Sequence, residues 1–181
     1  MQNDPLFRRI RRHAAKRLHF SETQSDKARL DGLKEFLRLE NQMIRRYHEK
    51  GDSGLRVARA RAVMMDVLIQ SLHEYALGLA NDFLANPKPM ALMAAGGYGR
   101  GELSPHSDLD LMFLYPRSAD GKPLEALKET MTREILYPLW DLGLKVGHSS
   151  RSIRETLEES RRDIRTKNAL LDSRFLSGDK N

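Results

Sequence analysis

The chain has 181 residues, of which 40% are hydrophobic and 31% are charged, with a formal net charge of +6 and no cysteine. This length and composition are typical of one globular domain with a sizeable core, and the lack of cysteine excludes disulfides and thiolate metal sites and favours a cytoplasmic location. No apolar run reaches the ~20 residues of a membrane span, so we expect no membrane partner.

The first 27 residues are basic and then polar, which predicts a short helix followed by a loop. Six basic side chains lie among them: Arg8, Arg9, Arg11, Arg12, Lys16 and Arg17. Such a cluster is compatible with an arm that binds nucleic acid or an acidic partner. We favour the solvated face of a helix, because no aromatic platform for stacking bases accompanies the charges. We therefore expect no nucleic-acid partner.

Two long helices are predicted next. Apolar residues recur every three to four positions from about residue 28 to 50, and again from about 54 to 85. The intervening segment 51–54, Gly-Asp-Ser-Gly, ends one helix and begins the other. We expect an antiparallel helical hairpin packed on a sheet, with its methionines filling the core. Three arginines near the start of the second helix are expected on a solvated or partner-facing side: Arg56, Arg59 and Arg61.

The segment from residue 90 to 115 carries the most specific pattern. Its two apolar runs, Met90–Ala95 and Leu111–Tyr115, predict two buried strands. The sequence between them, GGYGRGELSPHSDLD, predicts a tight turn and a short helix or loop. It is not a Walker A loop, because no Gly-Lys-Ser/Thr follows, and it lacks the G-x-G-x-x-G spacing of dinucleotide-binding folds.

Two aspartates, Asp108 and Asp110, lie two positions apart where the second strand begins. Because side chains alternate across a strand, both point to the same face of the sheet. Neighbouring carboxylates repel each other unless a cation lies between them, and Mg²⁺ prefers one or two carboxylates together with phosphate oxygens. We therefore predict that both aspartates are catalytic and hold Mg²⁺.

Four further residues are predicted to bind a nucleotide: Gly96, Gly97, Arg100 and Ser107. Glycines allow the backbone to approach a ligand closely, and the free N–H groups at the start of the following helix suit a triphosphate. The arginine and the serine add a positive charge and a hydroxyl nearby.

The remaining sequence predicts a loop over 116–123, a helix over about 124–142 and a third strand over 144–149. Pro138 kinks the helix and Gly143 ends it. We interpret Trp140 as an anchor in the core.

His148, near the end of the third strand, is interpreted as a structural histidine bonded to the backbone, with a phosphate or acceptor contact as the alternative. Ser152 and Glu155 form a capping box that opens a further helix. The apolar segment 168–176 is either the end of a helix or another strand.

The glycine turn and the Asp-x-Asp pair resemble the nucleotidyltransferase superfamily to which DNA polymerase β belongs. The longer form, G-G-Y-G-R-G-E-L-x-P-x-S-D-x-D-L, is similar to the bacterial PII-protein uridylyltransferase/uridylyl-removing family. Two later segments support this resemblance, WDLGLKVGHS at 140–149 and ALLDSR at 169–174. The resemblance covers roughly residues 30–180.

The resemblance implies an α+β fold, in which a small mixed sheet forms the nucleotidyltransferase core and a long amino-terminal helical hairpin packs on it. We place the helical region at residues 1–86 and the core at 87–181. The resemblance also implies transfer of UMP from UTP to a tyrosine hydroxyl of the PII nitrogen-signalling protein. Pyrophosphate would be released at a magnesium site with two ions.

Two features depart from the family pattern. Superfamily members generally carry a third carboxylate on the next strand, where residues 145–148 of this chain are Lys-Val-Gly-His. Asp172 is an alternative third ligand, although a structural role suits it equally. Family members are also much longer, with a phosphohydrolase domain and glutamine-sensing domains. We therefore expect a fragment, truncated at the carboxyl end of its core, that transfers UMP poorly.

Two other functions stay open at this point. One is a nucleotidyltransferase with another nucleotide or acceptor, such as an adenylyltransferase, because no base-recognising residue is identifiable from the sequence. The other is a non-catalytic binding module on the same fold, with the basic helices contacting a partner.

Overall fold

A computed structural model describes residues 4–80, 90–116 and 121–180 of the chain. The fold of these residues is α+β, as predicted, with helices packed around one mixed four-stranded sheet. Within the described residues, no helix is both long and apolar enough to cross a bilayer. The predicted division between the helical region and the core, after residue 86, lies outside the described residues.

In the described part of the chain, three helices precede the sheet: α1 (Pro5–Arg17), α2 (Asp26–Glu49) and α3 (Gly54–Ala80). The hairpin of α2 and α3 is present as predicted, and α1 also packs on α3. The central helix, α3, buries residues along most of its length, including two of its methionines, Met64 and Met65, which confirms their role as core filler. The predicted extension of α3 to residue 85 lies outside the described residues.

The basic amino-terminal segment forms an amphipathic helix. Asp4 caps α1 by accepting a hydrogen bond from the backbone N–H of Leu6. One face of α1 is buried against the rest of the protein: Leu6, Phe7, Ile10 and Ala14. All six basic residues named above lie on the exposed remainder of the segment.

The three arginines near the start of α3 are only partly exposed, and each is bonded within the protein rather than lying free on a solvated face. Their hydrogen-bond partners are Asp4 and Asp52 for Arg56, Glu102 for Arg59, and Asn41 and the carbonyl of Pro105 for Arg61. Arg59 and Arg61 therefore fasten the loop that leads into the second strand to α3. The backbone N–H of Leu103 reinforces this attachment by donating to the carbonyl of Ala58.

The sheet is formed by β1 (Ala91–Ala95), β2 (Leu109–Tyr115), β3 (Val146–Ser152) and β4 (Arg174–Gly178), in the order β3-β2-β1-β4. The central strand β1 is antiparallel to β2 and β4, whereas β2 and β3 are parallel. One face of the sheet contributes fully buried side chains to the core: Leu92, Ala94, Leu111 and Phe113. The opposite face carries Asp110 and is more open.

The segment after β2 forms α5 (Gly121–Met131), a π-helical turn (Thr132–Leu136) and α6 (Tyr137–Asp141) without interruption. The π turn lies directly before Pro138, which has no N–H to donate and whose ring crowds the preceding turn. The predicted kink therefore takes the form of a widened turn. Gly143, with φ of +74°, ends the helix as predicted. Residues 117–120 of the predicted loop lie outside the described residues.

Trp140 is not a core anchor, so that prediction is wrong. Its side chain is 41% exposed, and its ring lies 5.8 Å from the rings of both Tyr137 and His148. The neighbouring Leu139 is fully buried and fills the core position instead. Successive residues on a helix point about 100° apart, so only one of these two neighbours can face the core.

The end of the chain contains two further helices before β4. Ser152 and Glu155 form the predicted capping box at the start of α7 (Ile153–Arg162), and α8 (Ile164–Leu171) follows. The segment 168–176 contains both predicted alternatives, because it holds the end of α8 and the start of β4. The helices α7 and α8 lie beside the open face of the sheet, where they form one wall of a cleft.

Candidate active site

The two aspartates lie at the beginning of β2, as predicted. Leu109 and Leu111 are 2% exposed, whereas Asp108 and Asp110 are exposed, so the strand alternates between core and open face. Partial burial and the negative charge of Asp108 together raise the pKa of the Asp110 carboxyl above its usual range. The two carboxylates are thus close enough to repel each other.

Asp110 lies between two glycines on the neighbouring strands. Ala95 pairs with Asp110 on one side and is followed by Gly96, while Gly147 pairs with it on the other. A β-carbon at Gly96 would lie 2.9 Å from Oδ2 of Asp110, and one at Gly147 would lie 2.7 Å from Oδ1. Neither position therefore accepts a side chain without moving the carboxylate. The part played by Gly147 was missed from the sequence, although WDLGLKVGHS contains it.

The predicted glycine turn forms a short helix, α4 (Gly96–Gly99), directly after β1. Gly96 has φ of +56°, a left-handed conformation that favours glycine. A β-carbon at Gly97 would lie 3.4 Å from the carbonyl oxygen of Glu102, which is an ordinary contact. The protein itself therefore does not require glycine at position 97.

The glycine of the turn with the least space for a β-carbon is Gly99, which was not singled out from the sequence. A β-carbon there would lie 2.0 Å from the carbonyl oxygen of Asp172 and 3.0 Å from that of Ala94. Both atoms belong to the backbone, so they cannot rotate away. The end of α4 is thus pressed against the connection between α8 and β4.

Arg174 binds the backbone of the same glycine turn and links it to α3. Its guanidinium donates two hydrogen bonds to the carboxylate of Asp66 on α3, at 2.9 and 3.0 Å. It also donates to the backbone carbonyls of Gly99 and Tyr98, at 3.1 and 3.2 Å. The segment ALLDSR therefore contributes a positioning residue that joins the glycine turn to α3 and β4.

Arg100 lies beside the turn but is bound by Asp172. Its Nη1 donates to Oδ2 of Asp172, and its Nη2 lies 3.7 Å from where a β-carbon of Gly97 would be. The structure therefore brings Arg100 to the predicted phosphate turn. Ser107 is exposed in the loop that leads to Asp108.

Asp172 is bonded to Arg100 and does not join the two aspartates in a cluster of the described residues. Among the described residues, no three His, Cys, Asp or Glu side chains come together as a possible metal site. Gly147 occupies the position on β3 that pairs with Asp110, so this position offers no side chain as a ligand. The described site thus has a pair of carboxylates, and Asp172 serves as the partner of Arg100.

A cleft of about 420 Å³ opens next to Asp110, between the open face of the sheet and the helices α7 and α8. Its polar lining includes His148, Ser149, Arg151, Thr156 and Thr166. Within the described part of the chain, His148 makes no hydrogen bond to the backbone, so its interpretation as a backbone-bonded histidine is wrong. The other four were missed because the cleft forms only when α7 and α8 fold back over the sheet.

Residues 39–149 match the family model described as "Putative nucleotidyltransferase DUF294". The chain belongs to this nucleotidyltransferase family. The matched segment includes both aspartates, the glycine turn and Gly147. It ends before α7, α8 and β4 and begins within α2, so α1 lies outside it.

Three curated relatives are named bifunctional uridylyltransferase/uridylyl-removing enzyme. The protein of Novosphingobium aromaticivorans is 37% identical over 141 residues, which is 77% of this chain and 15% of that protein. The protein of Rhodospirillum rubrum is 39% identical over 140 residues, or 75% of this chain and 14% of that protein. The protein of Bradyrhizobium sp. (strain ORS 278) is 39% identical over 129 residues, or 70% of this chain and 13% of that protein. The chain thus spans about one seventh of the length of these relatives, and the resemblance seen in its motifs is confirmed.

Proposed function

We propose that this nucleotidyltransferase transfers UMP from UTP to a tyrosine hydroxyl of the PII nitrogen-signalling protein and releases pyrophosphate. The observation that carries this proposal is the position of Asp110. Its carboxylate lies beside that of Asp108, between two glycine backbones and at the edge of a cleft. The names of the relatives support the uridylyl group, and the resemblance of the motifs to the PII-protein uridylyltransferase family supports the acceptor.

The aspartate pair fits the predicted Mg²⁺. No basic side chain among the described residues bonds to either carboxylate, and burial together with the charge of Asp108 raises the pKa of Asp110. Carboxylate oxygens are the ligands that Mg²⁺ prefers, together with phosphate oxygens. Asp108 and Asp110 would hold the ion, which would neutralise the charge that develops on the phosphate oxygens.

The remaining site residues are proposed to position the triphosphate. Without a side chain at Gly97 a phosphate could approach the backbone of the turn, and the guanidinium of Arg100 lies beside this position. The hydroxyl of Ser107 adds a donor next to Asp108. The cleft beyond Asp110 has room for the nucleoside, and Arg151 on its wall adds a positive charge.

The reaction is a substitution at the α-phosphorus. The acceptor oxygen forms a bond to this phosphorus while the bond to the bridging oxygen of the β-phosphate breaks, and pyrophosphate leaves with the bonding electrons. The hydroxyl proton is lost to solvent. The protein contributes mainly positioning and charge stabilisation, which dominate catalysis of phosphoryl-type transfer.

The experiment is an assay with each of the four ribonucleoside triphosphates, Mg²⁺ and purified PII protein. Because slow transfer is expected of this chain, it is used at high concentration, and the mass of intact PII protein is measured after prolonged incubation. We expect one uridylyl group per modified PII subunit with UTP and no change when Asp110→Asn replaces the native chain. A PII subunit that gains an adenylyl group instead would favour the adenylyltransferase alternative, and an unmodified subunit with all four nucleotides would contradict the proposal.

A further inference from the structure

A groove of about 530 Å³ lies between α1 and α2, and it shares no residue with the cleft beside Asp110. Its basic lining consists of Arg9, His13 and Arg17 from α1, and of Arg46 and Lys50 at the end of α2. Glu40 is the one acidic residue that lines it within the described part of the chain. The groove thus combines several cations with a single carboxylate.

Glu40 is buried, with only 1% of the residue exposed. Nδ1 of His13 lies 2.7 Å from its Oε1. The second oxygen, Oε2, is also buried and has no hydrogen-bond partner among the described residues. A buried carboxylate oxygen without a donor is costly, because it has lost its water and gained nothing in exchange. This oxygen is therefore the natural acceptor for a donor group on a ligand in the groove.

Three of the cations around Glu40 also lack opposite charges. Within the described residues, Arg9, Arg46 and Lys50 make no ion pair, and all three side chains are exposed. Arg9, His13 and Arg17 follow one another at intervals of four residues, so they form a row on one face of α1. The ends of this row are separated by about 12 Å, from the rise of 1.5 Å per helical residue. An extended anion fits this row better than a compact one.

We propose that this groove binds a nucleoside phosphate. The phosphates pair with the cations of the rim, and an N–H or O–H group of the base or ribose donates to Oε2 of Glu40. Inorganic phosphate can pair with the arginines and donate its own P–O–H group to Glu40, but it is too compact to span the row on α1, and a nucleoside would leave the arginines without an anion. A nucleoside phosphate supplies both groups and is long enough for the row on α1, whether or not the proposed uridylyl transfer is correct.

The test is calorimetric titration in EDTA of the 181-residue chain carrying Asp108→Asn and Asp110→Asn. These conditions remove the metal and the carboxylates of the catalytic cleft. The ligands are ADP, GDP, CDP and UDP, together with inorganic pyrophosphate and the four nucleosides. We expect at least one nucleoside diphosphate to bind at least about tenfold more tightly than pyrophosphate, because a hydrogen bond to a buried charge is strong.

Two variants and one control locate the site. Glu40→Gln keeps a hydrogen-bond partner for His13 and should lower affinity for the diphosphate about tenfold, with affinity for pyrophosphate unchanged. Arg46→Gln changes an exposed residue and should weaken both ligands. Arg45→Gln is the matched control, since Arg45 is paired with Glu49 and lies outside the groove lining; neither affinity should change.

Three results would overturn the proposal. They are no saturable binding of any of the four diphosphates, equal affinity for pyrophosphate and diphosphate, and binding that is unchanged in Arg46→Gln. Circular dichroism shows whether Glu40→Gln is folded. If it is not, Arg46→Gln and the comparison of ligands still decide the question.

Discussion

Gly147 of β3 lies directly beside Asp110 of β2, and a β-carbon at Gly147 would lie 2.7 Å from Oδ1 of Asp110. The contact is made by the end of a side chain rather than by backbone. A methyl group at this position would therefore rotate the carboxylate without displacing either strand. A substitution at Gly147 therefore changes the site while the fold stays the same.

We predict that Gly147→Ala lowers the rate of nucleotide transfer about 10- to 100-fold, because a catalytic group displaced by about 1 Å can cost this much. The free energy of unfolding should change by less than about 1 kcal/mol, since the carboxylate can turn toward the open face. Transfer is followed by the mass of the acceptor, and stability by urea unfolding.

Gly32 is the control for this substitution. It lies in α2, where a β-carbon would meet no atom within 4 Å. Gly32→Ala should stabilise the protein by about 0.5–1 kcal/mol through helix propensity and leave transfer unchanged. If Gly147→Ala and Gly32→Ala both retain the native rate, the position of the Asp110 carboxylate does not control the reaction.

A second prediction concerns the carboxylates themselves. Asp108→Asn and Asp110→Asn should each abolish transfer, because each removes a proposed ligand of Mg²⁺. The protein should stay folded, because each substitution also relieves the repulsion between the two carboxylates. Circular dichroism and the transfer assay are run on both variants, with the exposed Asp141→Asn as control. Near-native turnover in either site variant would refute the assignment of the metal site.

The aspartates could be placed from the sequence because their arrangement depends on local geometry. Alternation along one strand puts Asp108 and Asp110 on one face, and the adjacent glycine turn is only about ten residues away in the chain. Capping of α7 by Ser152 is equally local, and it too was predicted.

Contacts between distant segments could not be predicted in this way. Arg174 is 75 residues from Gly99, and His13 is 27 residues from Glu40. A pattern within one element gives no information about such pairs, so the tight contact at Gly99 and the buried Glu40 were both missed. Trp140 was misplaced for a related reason, because helical periodicity near the π turn does not show which neighbour faces the core.

A third prediction distinguishes the glycines of the turn. Gly99→Ala should destabilise the protein by more than about 3 kcal/mol, because its methyl group would overlap the backbone carbonyl of Asp172. Gly97→Ala should fold normally and lose affinity for Mg²⁺-UTP, because its methyl group would lie beside the guanidinium of Arg100, where phosphate binds under the proposed function. Thermal unfolding and calorimetry test the two variants side by side. Equal stability of the two would contradict the close packing at Gly99.

A fourth prediction concerns Arg174, whose guanidinium donates at once to Asp66 and to the backbone of the turn. Arg174→Lys keeps the charge but cannot reproduce this planar set of donors. We expect a loss of about 1–3 kcal/mol in unfolding free energy and a reduced transfer rate. The control is Arg154→Lys, which changes an exposed arginine of α7 paired with Glu158. An Arg174→Lys protein with native stability would show that the guanidinium does not hold the turn.

The last prediction concerns His73, which lies in α3 with no exposed surface. Neither ring nitrogen has a hydrogen-bond partner in the part of the chain that the structure describes. Burial lowers the pKa of His73 from 6.5 to about 4. Above pH 6.5 the ring is neutral in both the folded and unfolded states. As the pH falls from 6.5 toward 4, the unfolded chain binds a proton that the folded protein excludes, so the free energy of unfolding decreases.

This decrease amounts to about 2 kcal/mol between pH 6.5 and pH 5, at ~1.4 kcal/mol per pH unit for one proton. His73→Leu removes the titrating group and should remove this part of the pH dependence, while stability at pH 7.5 is retained or increased. Urea unfolding at several pH values measures the slope. His106→Gln, which changes an exposed histidine, should leave the slope of the native protein unaltered. If His73→Leu keeps the native slope, the buried ring is not what makes stability fall as the solution is acidified.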